Sequence, residues 1–187
     1  ELTEREGAVQ LYQFENPANP EAHYRTTGPE ILAALDGRTP DALVAGVGTG
    51  GTISGTGRRL RETFPDLEIV AVEPAENAVL SGDPPGEDDF QGMGPGFVAE
   101  NLDRSILDGV ETVTIDAAEA ECRRLAHEEG ILVGQSSGGS NLVAQRIAER
   151  RRDAGSYAGE EPLVLTVFWD SGERYLSTGL FDGATDT

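Results

Sequence analysis

The residues in this chain best placed to do chemistry are mostly small ones. Gly46-Val47-Gly48-Thr49-Gly50-Gly51-Thr52 follows an apolar run, Ala42-Leu43-Val44-Ala45, and precedes a helical pattern from Ile53 to Phe64. That order predicts a strand over 42–47, a glycine turn over 48–52 and a helix over 53–64. The first N–H groups of a helix lack internal partners and sit at the positive end of its dipole, so such a turn is an anion site. Glycines let the backbone approach a phosphate with no Cβ in the way. Thr49 and Thr52 add hydroxyls to the same turn. The stretch reads as a phosphate cup. A second glycine turn, Gly134 with Ser136-Ser137-Gly138-Gly139, follows the apolar run Ile131-Leu132-Val133 and precedes a helical pattern from Asn141 to Arg151.

Other reactive side chains are few. The single cysteine, Cys122, excludes an internal disulfide and suits a reducing cytoplasm; its place in a helical pattern predicts a buried structural role. His23 and His127 have no partners at metal-ligand spacing and are expected to be structural or surface residues, with no metal site. All 14 basic residues are Arg and none is Lys, so this chain alone cannot form a Schiff base. The 34 acidic residues give a net charge of -20, a surface that repels nucleic acid and anionic membranes. The acids lie along the polar faces of segments that also carry apolar stripes, which argues against disorder. Acidity without lysine is the expected signature of a halophilic cytoplasmic protein, its self-repulsion screened by salt. No run of 18 apolar residues predicts a membrane span, and no basic-then-apolar start predicts a signal peptide. The start Glu1-Leu2-Thr3, without Met, is expected to be an unnatural amino terminus.

These residues need a scaffold, and the chain supplies alternating elements. Glu1 to Glu6 reads as the tail of a helix and Ala8 to Phe14 as a short strand. Asn16-Pro17-Ala18-Asn19-Pro20 is a turn; Glu21 to Leu35 is helical with a break at Thr26-Thr27-Gly28-Pro29. Strand 68–72 completes a βαβ unit with the cup. Residues 77–101 are irregular and rich in Gly and Pro, a loop long enough to be functional or mobile. A strand over 110–115, a helix capped by Asp116 and running to about Glu129, a buried strand over 131–133 and a strand over 163–168 follow. Asp170-Ser171-Gly172 is a turn and Glu173 to Ser177 a short helix. The pattern predicts an α/β fold: a mostly parallel twisted sheet with helices on both faces, three layers in all. Ligands sit at the carboxyl ends of such strands, where both glycine turns fall.

Two readings of the cup compete. Gly46, Gly48 and Gly51 satisfy G-x-G-x-x-G, and Glu73 ends the next strand 22 residues after Gly51. That is a dinucleotide fingerprint, which would make the protein an NAD-dependent oxidoreductase with Glu73 on a ribose. A non-catalytic module using the same cup is a further possibility. Against these stands a series of words: Gln13-Phe14-Glu15-Asn16-Pro17-Ala18-Asn19-Pro20, Thr26-Thr27-Gly28-Pro29-Glu30-Ile31, the cup itself, Val72-Glu73-Pro74, Gln91-Gly92-Met93-Gly94-Pro95-Gly96-Phe97, Glu128 to Gly134, Ser136-Ser137-Gly138, and Ser171-Gly172-Glu173-Arg174-Tyr175-Leu176-Ser177. In order and spacing, from Gln13 to Phe181, this series resembles cysteine synthase (O-acetylserine sulfhydrylase). The wider group is the fold-type II pyridoxal-phosphate enzymes, which include cystathionine β-synthase.

The resemblance implies pyridoxal 5'-phosphate as cofactor, its phosphate held by Gly48, Thr49, Gly50, Gly51 and Thr52. It implies that Ser136 faces the pyridine nitrogen, where a neutral hydroxyl leaves the ring a weaker electron sink suited to β-replacement. It places Gln13 near a substrate carboxylate and Gly92 in a loop lining the substrate space. The implied reaction is loss of acetate from O-acetyl-L-serine and addition of sulfide to give L-cysteine, in a homodimer. A relative using homocysteine or O-phosphoserine is the alternative; the latter would want an arginine near the 92–97 loop, which has none. The family's Schiff-base lysine and its Ser/Thr-Gly-Asn substrate loop lie in an amino-terminal portion without counterpart here. Residues 1–187 are therefore expected to be a carboxy-terminal, cofactor-phosphate-binding portion with no catalytic lysine of its own.

Overall fold

The computed structural model describes residues 7–182; the helical tail expected over 1–6 lies outside them. Four strands form one parallel sheet: β1 (Ala42–Gly46), β2 (Glu68–Pro74), β3 (Gly109–Val113) and β4 (Val164–Thr166). Their spatial order is β3-β2-β1-β4. The helices are α1 (Ala18–Arg25), α2 (Thr27–Leu35), α3 (Gly51–Arg61), α4 (Ile115–Arg124) and α5 (Gln135–Ala154). The chain steps outward from β1 to β2 to β3, then returns over the sheet through α5 to place β4 on the other side of β1. The direction of winding therefore switches between β1 and β4, the point at which open parallel sheets hold their ligands.

Side-chain alternation along the strands explains the three layers. Leu43, Ala45, Ile69 and Ala71 face one side and pack with Ile53 and Leu60 of α3 and with Ile31 and Leu32 of α2. Ala42, Val44, Val70 and Val72 face the other and pack with Ala118 of α4 and Val143, Ala144 and Ile147 of α5. Leu43, Ile53, Leu60, Ile69 and Ile147 are fully buried, each contributing about 1.5–3 kcal/mol. Both faces of the sheet are covered, as the continuous apolar runs of β1 and β2 require.

The structure departs from the sequence reading in a few places. Residues 8–14 form no strand; Val9 and Leu11 are exposed, and Tyr12 opens a turn with φ 50°. The alternation there was β-like, but no strand among the described residues pairs with it. Residues 131–133 are not a buried strand: Ile131 and Leu132 are partly exposed, and only Val133 pairs, in a single antiparallel bridge with Ser171. The cap of α4 is Thr114, two residues before Asp116, and its side chain accepts from Ala117 N–H.

The largest shift concerns the second glycine turn. Ser136 to Gly139 are the first turn of α5 rather than a turn before it. Glycine in a helix costs about 1 kcal/mol against alanine, and here a tertiary contact demands it. A Cβ on Gly138 would stand 2.5 Å from both Ala118 O and Cys122 Sγ, and one on Gly139 would stand 3.0 Å from Val113. These glycines let α5 cross α4 and the sheet at close range. Buried Glu121 locks the same crossing, accepting hydrogen bonds from Arg124, Asn141 and Gln145. Gly138→Val is expected to destabilise the fold by about 1–3 kcal/mol, read from the denaturant midpoint; an unchanged midpoint would show that the crossing is loose.

Candidate functional site

The end of β1 leads into the cup through a backbone that leaves no room for side chains. A Cβ on Gly48 would run into Gly92 O, and one on Gly51 into Asn19 Oδ1. Gly50 is the residue before α3, left-handed at φ 79°, and its Cβ would stand 2.7 Å from Leu102. Only glycine satisfies both the conformation and the space. Gly51 N–H turns back to Thr49 Oγ1 at 3.4 Å, and Gly50 adds no side-chain cap to the amides that follow in the first turn of α3.

The cup is held from outside. Asn19 of α1 donates to Thr49 Oγ1 at 2.9 Å and to Gln13 O at 2.8 Å. Asn101 donates to Gln13 O as well, at 2.7 Å. The long 77–101 segment is tied down: Asn77 donates to Asp88 and to Gly94 O and accepts from Gly86 N–H, while Gly94 N–H donates to Val47 O. This brings Gly92 (φ 93°) against Gly48 on one side and Ser136 on the other.

The first turns of α5 meet the cup across the sheet end. Ser140 Oγ accepts from Gly46 N–H at 3.0 Å and donates to Ser136 O at 2.8 Å. Ser137 Oγ accepts from Trp169 N–H at 3.2 Å. Ser137 and Ser140 are thus engaged in tying α5 to β1 and to the segment after β4, and the serine left to line the open space is Ser136. That space is a cavity of about 860 Å³ at the carboxyl ends of β1 and β4, at the switch point of the sheet.

Gly48, Thr49, Gly50, Thr52, Gly92 and Ser136 all line this one cavity, and Gly51 opens α3 beside it. Gln13 does not: its exposed side chain borders a separate shallow depression formed by residues 10–15, and only its carbonyl reaches the cup's supports. Sequence reasoning missed Gln135, Trp169 and Asp170 as wall residues. Gln135 accepts from Gln91 N–H and donates to Glu119, which sets the 91–92 backbone at the rim. Asp170 Oδ2 accepts from Tyr175 O–H at 2.8 Å, while its buried Oδ1 has no partner among the described residues. Burial, together with the hydrogen bond to Asp170, keeps the Tyr175 hydroxyl protonated well above the usual tyrosine range.

The other candidates resolve into structural parts. Cys122 is buried, donates to Gly134 O and has its thiol pushed up to about 12 by burial. Glu73, the supposed ribose ligand, is 2% exposed and accepts from Leu80 N–H, Ser81 N–H and Ser81 Oγ–H. Its carboxylate is committed to the loop after β2, which corrects the dinucleotide reading of the acid. Among the described residues no group of three His, Cys, Asp or Glu side chains is placed to hold a metal, and no helix is long and apolar enough to cross a membrane.

Residues 1–168 match the family described as pyridoxal-phosphate dependent enzyme. The chain belongs to that family. It is 48% identical over 181 residues to cysteine synthase from Staphylococcus aureus, covering 97% of this chain and 56% of that protein. It is 48% identical over 182 residues to cysteine synthase from Haemophilus influenzae, covering 94% of this chain and 55% of the relative. The structure superposes on O-ureido-L-serine synthase with a TM-score of 0.88 at 42% identity, covering 100% of this chain and 57% of that one. Cysteine synthase from Entamoeba histolytica gives 0.85 at 35% identity, covering 96% and 51%. The chain thus spans about half the length of the relatives it matches. The residues at hand fit the family's cofactor: a turn whose shape is fixed by three crowded glycines, helix amides for a phosphate, and Thr49, Thr52 and Ser136 lining the same cavity.

His23, expected to be structural, is a support of the cup. Its Nε2 lies 3.2 Å from Thr52 Oγ1 and its Nδ1 2.9 Å from Thr27 Oγ1. Burial lowers its proton affinity below the ordinary 6.5. The folded imidazole then binds a proton more weakly than the unfolded one. Its contribution to stability is complete above about pH 6.5 and is lost as pH falls below that value toward the folded pKa. His23→Asn is expected to flatten the fall in melting temperature as pH drops below about 6.5; a fall unchanged by the substitution would contradict this.

Proposed function

We propose that the chain is the cofactor-phosphate-binding, carboxy-terminal portion of a cysteine synthase, and that the assembled enzyme replaces the acetate of O-acetyl-L-serine with sulfide to give L-cysteine. The observation that carries the reading is the glycine-and-threonine cup at the switch point, in a chain of this family. Pyridoxal phosphate, when bound, supplies the electron sink for charge developing on the substrate.

The chain's own residues hold and orient. Gly48, Thr49, Gly50, Gly51 and Thr52 offer backbone N–H groups and hydroxyls to the phosphate at the positive end of α3. Ser136 presents a neutral hydroxyl to the ring nitrogen, from a turn pinned to β1 through Ser140. Gly92 brings the 91–97 backbone over the cup and walls the substrate space. Gln13 keeps its proposed part in reading a substrate carboxylate; its side chain is exposed beside the cup's supports. The lysine comes from an amino-terminal portion, and the full-length form is a cytoplasmic homodimer.

One observation favours a second substrate. Arg174 lines the same cavity, so the cation missing from the 92–97 loop is supplied from the segment after β4. O-phosphoserine, which carries a dianionic leaving group, is therefore the alternative to O-acetylserine. The relatives also leave the nucleophile open, since one at 41% identity is an O-acetylserine dependent cystathionine beta-synthase from Helicobacter pylori.

The test has two stages. Pyridoxal phosphate is expected to raise the melting temperature of this chain and NAD to leave it unchanged; the reverse pattern would overturn the reading. Mixing the chain with a separately expressed, lysine-bearing amino-terminal portion of a cysteine synthase, cofactor and sulfide should then yield cysteine only when both portions are present. O-acetylserine and O-phosphoserine in parallel arms identify the leaving group.

A further inference from the structure

The chain's single tryptophan, Trp169, lies in the segment after β4, yet its indole reaches across the end of β1 to α3. Its backbone N–H is anchored on Ser137 Oγ, and its Cη2 lies 3.7 Å from the position a Cβ would take on Gly46. Its Nε1 lies 3.3 Å from Thr52 Oγ1. An indole N–H can only donate, so Thr52 accepts from Trp169.

This constrains the threonine. A hydroxyl has two lone pairs and one proton, and Trp169 takes one lone pair. The second neighbour is His23 Nε2, at 3.2 Å. If Nε2 carries the imidazole proton, Thr27 O–H donates to Nδ1, 2.9 Å away. Both lone pairs of Thr52 are then filled, and its own proton has the cavity to point into. If Nε2 is bare, Thr52 donates to His23 and turns a lone pair toward the cup, which repels a phosphate oxygen. An anion in the cup selects the first arrangement. Without the indole, one lone pair is free and the hydroxyl rotor is no longer held.

We propose that Trp169 is a positioning residue of the cup, its indole N–H filling one lone pair of Thr52 so that the Thr52 hydroxyl donates to a phosphate monoester. The proposal rests on the phosphate reading of the cup and names the residue that sets its hydroxyl. Nothing in the local sequence around either residue signals the pairing, because 117 positions separate them.

The test is a double-mutant cycle read by calorimetric binding of pyridoxine 5'-phosphate, which carries the phosphate but no aldehyde. Trp169→Phe is expected to weaken binding about three- to tenfold, the scale of one hydrogen bond. In a Thr52→Val background the same substitution should change nothing. An unchanged affinity in the first variant overturns the proposal. So does a loss that persists without the Thr52 hydroxyl, since that is what a merely structural role would give. Should Trp169→Phe not fold, inorganic phosphate titrated into the unsubstituted chain gives the answer. Emission from Trp169 should change as phosphate binds, and phosphate binding with unchanged emission overturns the proposal. Failure of the unsubstituted chain to bind pyridoxine 5'-phosphate would instead overturn the reading of the cup and this inference with it, so the two failures differ.

Discussion

The amides at the start of α3 keep their place at the end of β1 because Gly48, Gly50 and Gly51 carry no Cβ where their neighbours crowd them. Each of these positions is crowded by a different element: the 92–93 backbone, Leu102 and Asn19 of α1. The crowding works in both directions. It makes glycine obligatory, and it packs three distant segments around one turn so that the turn has a fixed shape. The rest of the molecule can be understood as the means of holding those segments in place. The 77–101 segment is tied through Asn77, α1 is held against α3, and α5 is stapled to the end of β1 through Ser140.

Charge sharpens the point. A chain of net charge -20 is a poor general host for an anion. It has no lysine, and Arg174 is the one arginine among the described residues lining the cavity. Beyond Arg174, attraction at the cup rests on oriented backbone dipoles and hydroxyls. Such dipoles act over one turn of helix, so the geometry of Gly48 to Thr52 matters more here than in a site that could rely on a cationic side chain. The same reasoning gives weight to the hydroxyl proton of Thr52 and to whatever fixes it.

Much of this was legible in the sequence for a physical reason. Strand alternation, buried apolar runs and glycine before a helix are local signals, and β1, the cup, α3 and β2 carry all of them. The series of family words located Ser136 and Gly92 in one cavity with the cup, although no local rule would have joined them. What escaped was set by tertiary contact. Gly138 and Gly139 read as a turn because glycine usually marks one, whereas here they admit a helix crossing. Residues 8–14 alternate like a strand, but a strand exists only with a neighbour to pair with. Glu73 matched a ribose ligand by spacing, and its burial against Leu80 and Ser81 gives it another task. Trp169 carried no signal, since its meaning lies in a side chain 117 positions away.

The central claim is that the amides at the start of α3 bind the phosphate of pyridoxal phosphate. An amide-resolved NMR titration of this chain with that cofactor tests it most directly. The account predicts saturable shifts concentrated on the backbone N–H groups of Gly48 to Ile53, with a lesser set at Ser136 and the Trp169 indole. Shifts that bypass Gly48 to Ile53, or that appear there with NAD and not with pyridoxal phosphate, would contradict it.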